Sequence, residues 1–238
     1  MGWDKKWLLA LDLSTPRGVL VLDGPGGTFH REVAGGSRVS HLFVAAGEVM
    51  CAAGIKAREL GLAGVGRGPG SFTGIRVAVT AAKVLAAVLD VPLVAPDSLM
   101  VTAVAAGGEG DAVFTALDAR RGEVYHALYR IADGYPVALV EPGVAPPQVV
   151  AASLSRWMER EGARVTGVGN GIGAYPGAWP EGMARAESDL PEPAGLARLC
   201  RLAAGRGEHI DPIELLPLYL RRPDVRERCG GGEGGRTC

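Results

Sequence analysis

The run Gly66-Arg67-Gly68-Pro69-Gly70-Ser71-Phe72-Thr73-Gly74-Ile75-Arg76 constrains this chain more than any other stretch. Its glycines permit positive φ angles and close approach by other groups, and Pro69 fixes one φ in the middle. Ser71 and Thr73 are both suited to capping the helix that follows. A short apolar run, Leu62 to Val65, leads in, and a long one, Ile75 to Leu89, leads out. The pattern is strand, tight loop, helix N-terminus. Such a corner offers backbone N–H groups at the positive end of a helix dipole, an anion site in principle. It is also a way to press a helix closely against a sheet. The loop lacks the Gly-Lys-Ser/Thr ending of a Walker A loop. A nucleophile elbow at Ser71 would need glycines two residues to either side, where Pro69 and Thr73 stand. The corner is therefore read as structural, with Gly68, Pro69 and Gly70 seating the helix and Ser71 or Thr73 capping it.

Around that corner lies an ordinary globular composition. The 238 residues are 47% hydrophobic and 21% charged, with a net charge of −1. That suits one large domain or two small ones and lacks the basic excess of a free-standing nucleic-acid binder. The four cysteines, Cys51, Cys200, Cys229 and Cys238, are too scattered for a zinc knuckle or redox pair. Cys51, in an apolar helical run, reads as a small core residue. His30, His41, His126 and His209 make no pair at metal-binding spacing, so no metal site is expected. Asp12 interrupts the apolar run Trp7 to Leu11, which argues against a signal peptide. Ile75 to Leu89 contains Arg76 and Lys83 and is too short to span a bilayer. The expectation is a cytoplasmic protein with no membrane partner.

Taken in order, the chain shows a pattern twice. Strands over Trp7–Leu11, Val19–Leu22 and Thr28–Val33 form a meander. A helix over His41–Leu60, capped by Ser40, places Leu42, Ala46, Val49 and Ala53 on one face. Gly47 and Gly54 weaken it by roughly 1 kcal/mol each relative to Ala, and glycine there would let another helix come close. The helix over Thr73–Leu89 has almost no polar face, and Gly74, Ala78, Ala81, Ala82 and Ala86 make one side small. Val91–Val94 and a helix from Ser98 to Ala106 follow. Then come strands at Ala112–Leu117, ending in Asp118, at Glu123–Ile131 and at Val137–Val140. A helix over Gln148–Arg160, a strand at Val165–Val168 and a second glycine corner at 169–173 complete the second round. Each round is a strand ending in Asp, two more strands, a helix, a strand and a glycine loop. This order suggests the duplicated α/β fold of actin-like ATPases (the ASKHA, ribonuclease H-like class), in two subdomains. The first spans 1–100 and is joined by the C-terminal helix and segment near 193–222. The second spans 101–190. Residues 223–238 read as a disordered tail.

Four stretches resemble the bacterial TsaB (YeaZ) family, the non-catalytic partner of the transferase that makes threonylcarbamoyladenosine in tRNA. They are Leu9 to Thr15, Gly66 to Arg76, Asp118 to Tyr125 and Pro217 to Arg221. The resemblance implies a dimerising and activating subunit without activity of its own. Its implied partners are a TsaD-type catalytic subunit, a TsaE-type ATPase, tRNA indirectly through the complex, and a second copy when alone. It implies that helices 41–60 and 73–89 form the partner interface, through Leu42, Ala46, Val49, Ala53, Gly74, Ala78, Ala81 and Ala82. No intrinsic cofactor is implied, and ATP or ADP with Mg²⁺ belongs only at the interface with TsaD. Asp12, Ser14, Thr15 and Asp118 would line a degenerate nucleotide cleft. The alternative is an independent actin-like ATPase or small-molecule kinase, in which Asp12 and Asp118 hold Mg²⁺–ATP. Arg120, Arg121 and Glu123 fall in a hairpin turn that could contact tRNA or the partner, or simply be solvated.

Overall fold

Two five-stranded mixed sheets are built on one plan. In the computed structural model, which describes residues 6–34, 39–186 and 191–221, the first sheet holds β1 (Trp7–Asp12), β2 (Arg17–Gly24), β3 (Gly27–Ala34), β4 (Leu60–Val65) and β5 (Leu93–Val94), in the order β3-β2-β1-β4-β5. The second holds β6 (Ala112–Arg120), β7 (Glu123–Ala132), β8 (Tyr135–Ala145), β9 (Val165–Val168) and β10 (Ala184–Arg185), in the order β10-β9-β6-β7-β8. Strand for strand the two match. An antiparallel meander is extended on its first strand's free side by two parallel strands. β1 is central and covered on both faces, so it is apolar from Trp7 to Leu11 rather than alternating.

Helices α1 (Val39–Ala53) and α2 (Phe72–Leu89) cover one face of the first sheet, where Leu9, Leu11, Leu20 and Leu22 meet Leu42, Val49, Ala78 and Ala82. The opposite face is covered by α3 (Ser98–Ala106) and α6 (Pro193–Gly205), through Val101, Leu196, Leu199 and Cys200 against Leu8, Ala10 and Val21. The C-terminal helix thus returns to the first sheet. α3 also packs Leu99 and Ala103 against Val113, Leu117 and Tyr129 of the second sheet, so one short helix is shared by both halves. The second sheet's other face is covered by α4 (Pro147–Glu161) and the five-residue α5 (Asn170–Ala174).

Several expectations change. The first helix ends at Ala53, not Leu60, because Gly54 takes a φ of +70° and closes the helix end, its N–H donating to the Cys51 carbonyl. A single 3₁₀ turn at Ala57–Glu59 then leads into β4. Ser40 lies inside the first turn of α1 rather than capping it. Cys51 is exposed, on the outer side of α1. The third strand of the second round runs over Tyr135–Ala145 instead of Val137–Val140. The second glycine corner forms α5. By length and composition the 18-residue α2 could cross a membrane, but Ile75, Ala78, Val79 and Ala82 bury it against the first sheet as a core helix. The tail expected over 223–238, with Cys229 and Cys238, lies outside the described residues.

Candidate functional site

At the glycine corner the chain's own groups take up the backbone donors of Gly66, Arg67, Gly68 and Ser71. Gly66 N–H donates to Leu11 O at 2.9 Å, Arg67 N–H to Pro96 O at 3.1 Å and Ser71 N–H to Ser14 O at 2.7 Å. Gly68 N–H donates to the Ser98 hydroxyl at 3.1 Å. The Gly68–Pro69 peptide is cis. Ser71 is the N-cap, its Oγ accepting from Gly74 N–H at 3.3 Å, while Thr73 sits within α2 and is exposed. A Cβ at Gly74 would collide with the Leu13 carbonyl, and one at Gly66 with the Asp12 carboxylate. The glycines at 66 and 74 are there for close packing, and the four donors already spent inside the chain are not free to cradle a phosphate.

The residues expected to meet a partner on α1 and α2 face the chain's own core instead of solvent. Leu42, Ala46, Val49, Gly74, Ala78, Ala81 and Ala82 are buried in the core beneath the pair, and Ala53 is half-buried against the same core. The periodicity that singled them out is the signature of a core face, and these helices use it to cover their own sheet. What the pair shows to solvent is Phe43, Val44, Phe72, Val84 and Val88, with Gly47, Cys51 and Thr80 among them. Val88 is 74% exposed and Val44 62%. Such a cluster of large apolar groups is unusual on a surface that meets only water.

A segment without regular structure borders this face. Lys83 Nζ donates to Ile213 O and Leu215 O, both at 3.1 Å. Near the start of α2 the Tyr219 ring packs on Phe72, with centroids 5.0 Å apart, and the Arg76 guanidinium lies 5.3 Å from the Phe72 centroid. Leu218 N–H donates to Arg67 O at 2.8 Å. Arg221 then reaches the other half, donating to Ala119 O at 2.8 Å and pairing with Glu123. This strap ties the corner to the β6–β7 hairpin across the cleft mouth. In the sequence this stretch stands out as a family motif and as a segment joined to the first subdomain, but its tethers are not legible, because an extended segment held by backbone carbonyls carries no periodicity.

The cleft between the halves is a cavity of about 670 Å³ lined by Ser14, Thr15, Ser71, Thr73, Asp118 and Arg120 among others. Asp12 is not among its lining residues. It is 1% exposed; one carboxylate oxygen accepts the Ser14 N–H at 2.7 Å, and the other is buried without a partner of ordinary geometry. Burial pushes its carboxyl above the usual range, against the opposing pull of Ser14 and Ser98. Asp118 does face the cleft, but Oδ1 already accepts from Arg120 N–H at 2.8 Å and, more weakly, from the Tyr175 hydroxyl at 3.4 Å. Ser14 is buried, and Thr15 spends its hydroxyl proton on Arg17 O at 2.8 Å. Two acids that do not share a cavity are a poor fit to a metal–nucleotide. Arg120 and Arg121, with φ of 60° and 58°, bend the hairpin tip so that both arginines line the cleft beside Arg221.

The fold and these surfaces define a duplicated, actin-like α/β protein with an apolar helix pair left open on its first half. The family model described as "TsaD: tRNA N6-adenosine threonylcarbamoyltransferase" matches residues 25–152. The tRNA threonylcarbamoyladenosine biosynthesis protein TsaB of Escherichia coli is 29% identical over 235 residues, covering 95% of this chain and 99% of that protein. The protein of the same name from Bacillus subtilis is 45% identical over 96 residues, 40% of this chain and 38% of that one. The solved structure of YeaZ from Pseudomonas aeruginosa superposes with a TM-score of 0.78 at 29% identity, covering 90% of this chain and all of that one. The chain belongs to the TsaB (YeaZ) family.

Proposed function

We propose that this protein is the non-catalytic, activating subunit of the machinery that places threonylcarbamoyl on adenosine of tRNA, and that it docks a TsaD-type catalytic subunit on the outer faces of α1 and α2. The observation that carries this reading is the exposed apolar cluster of Phe43, Val44, Phe72, Val84 and Val88 on two adjacent helices. The TsaD family model matches a span that contains both helices. A partner of the same build would present its own helix pair, so helix pair against helix pair serves a heterodimer and a homodimer alike. A TsaE-type ATPase joins this assembly, tRNA is reached through it, and any ATP or ADP with Mg²⁺ sits where the subunits meet. The sealed position of Asp12 supports a cleft without chemistry of its own.

The test is reconstitution with the cognate TsaD-type subunit, L-threonylcarbamoyl-adenylate and tRNA. Adding this chain should raise the modification rate, and Val88→Glu should remove that gain; a rate indifferent to the chain would end the reading. Calorimetry on the isolated chain separates the alternative. Micromolar Mg²⁺–ATP binding that is lost in Asp118→Ala would make the protein an independent ATPase or kinase instead.

A further inference from the structure

The second half carries a pocket with no part in the docking face or the cleft. It lies between α4 and the β7–β8 side of the sheet, has a volume of about 260 Å³, and is walled by Phe114, Leu128, Val150, Leu154 and Trp157. An apolar cavity of about 150 Å³ already holds benzene, so this one has room for a substituted ring. One wall is polar. His126 lines the pocket half-buried, its imidazole makes no hydrogen bond among the described residues, and burial lowers its pKa and favours the neutral ring. A neutral imidazole offers one donor and one acceptor. Gly143, its cross-strand neighbour, keeps the ring in place by omission, since a Cβ there would sit 3.0 Å from Nε2.

The pocket continues outward along Leu139, Ser153, Arg156 and Arg160. Arg156 spends Nε on Ala152 O at 3.2 Å and Nη2 on Ser153 Oγ at 3.3 Å, so its guanidinium is held at the mouth with Nη1 to spare. Arg160 lines the same outer stretch, its exposed guanidinium paired with Glu161 at 2.9 Å. Apolar walls, one neutral hydrogen-bonding ring inside and guanidinium groups outside form the pattern of a small-molecule site. We propose that this pocket binds a small aromatic carboxylate: the aryl ring fills the apolar walls, a ring hydroxyl pairs with His126, and the carboxylate meets Arg156.

Three probes separate those contributions on the full chain, read by NMR at the His126 imidazole and the Trp157 indole: 4-hydroxyphenylacetate, phenylacetate and 4-hydroxyphenylacetamide. The hydroxylated acid should give saturable shifts at both groups. Loss of the ring hydroxyl or of the charge should each weaken binding about fivefold, the range of one hydrogen bond. Arg156→Gln should weaken the two acids and leave the amide unchanged, and His126→Phe should weaken only the hydroxylated probes. Ser153→Trp, on an exposed position of α4 at the pocket wall, should plug the site without loss of helical signal. The proposal is overturned if no probe saturates, if acid and amide bind equally, or if the folded Ser153→Trp variant still binds.

Discussion

Tyr219 packs its ring on Phe72 at 5.0 Å with a 31° tilt, and so joins the end of the described chain to the first turn of α2. The second tether lies at Lys83, which holds Ile213 O and Leu215 O. Phe72 and Lys83 are about 16 Å apart along a helix, a distance the extended stretch from 213 to 219 can span. The C-terminal strap therefore runs antiparallel to α2 along the edge of the exposed apolar face.

Tyr219→Ala should release that strap. An aromatic pair contributes about 0.5–1.5 kcal/mol beyond its area, so the melting temperature should fall by a few degrees while the fold persists. Limited proteolysis should cut within 211–221 several times faster than in the parent. Equal cutting rates would mean that the ring contact does not hold the segment.

Two glutamates on α2 should behave oppositely. Ala78 is fully buried, so Ala78→Glu forces an unpaired charge into the core and should unfold the chain or lower its stability by about 3–5 kcal/mol. Val88 is 74% exposed, so Val88→Glu should leave stability within about 0.5 kcal/mol while abolishing the helix-pair contact. Denaturant melts and size-exclusion with the TsaD-type partner measure both. A stable Ala78→Glu chain would refute the assigned core face.

Asp12 makes stability depend on pH in a direction unusual for a carboxylate. Its folded pKa is raised above the ordinary 3.8 by burial, so the fold prefers the protonated acid. Its contribution is complete below 3.8 and is lost as the pH rises through the folded value. Asp12→Asn keeps an oxygen for the Ser14 N–H and removes the buried charge. The variant should gain stability over the parent as the pH climbs from 3.8 toward neutrality, and the two should converge in acid. Denaturant melts across that range check it. A gap that widens on acidification would place a stabilising cation against Asp12.

Much of this fold was legible because its signals are local. The apolar run of β1, the Asp-ended first strands and the glycine corners gave the doubled plan, and the twin strand orders match it. Ser71 could be read as a cap because capping depends on neighbouring residues. The interface residues could not be placed, since apolar periodicity marks the face of a helix that is buried and is silent on what buries it. Leu42 and Ala78 are buried by their own sheet. Asp12 was drawn toward the cleft by its position at the end of β1, yet a one-residue step along a strand turns a side chain to the other face. Arg221 and the pocket at His126 depend on partners 98 or more residues away, or on a gap beneath a helix, and neither leaves a pattern in sequence.

Gly47 sets stability against docking. It sits in α1, is exposed, and a Cβ there would meet nothing within 4 Å. Among the described residues no packing requires glycine at this position, and glycine costs a helix about 1 kcal/mol relative to alanine. Gly47→Ala should therefore stabilise the isolated chain by up to about 1 kcal/mol, seen as a higher melting temperature. If a partner helix packs closely on the outer face of α1, the added methyl will hold it away and weaken the complex about tenfold, seen by titration with the TsaD-type subunit. A variant that gains stability and keeps full affinity would move the contact off Gly47 and onto α2, where Val84 and Val88 would carry it alone.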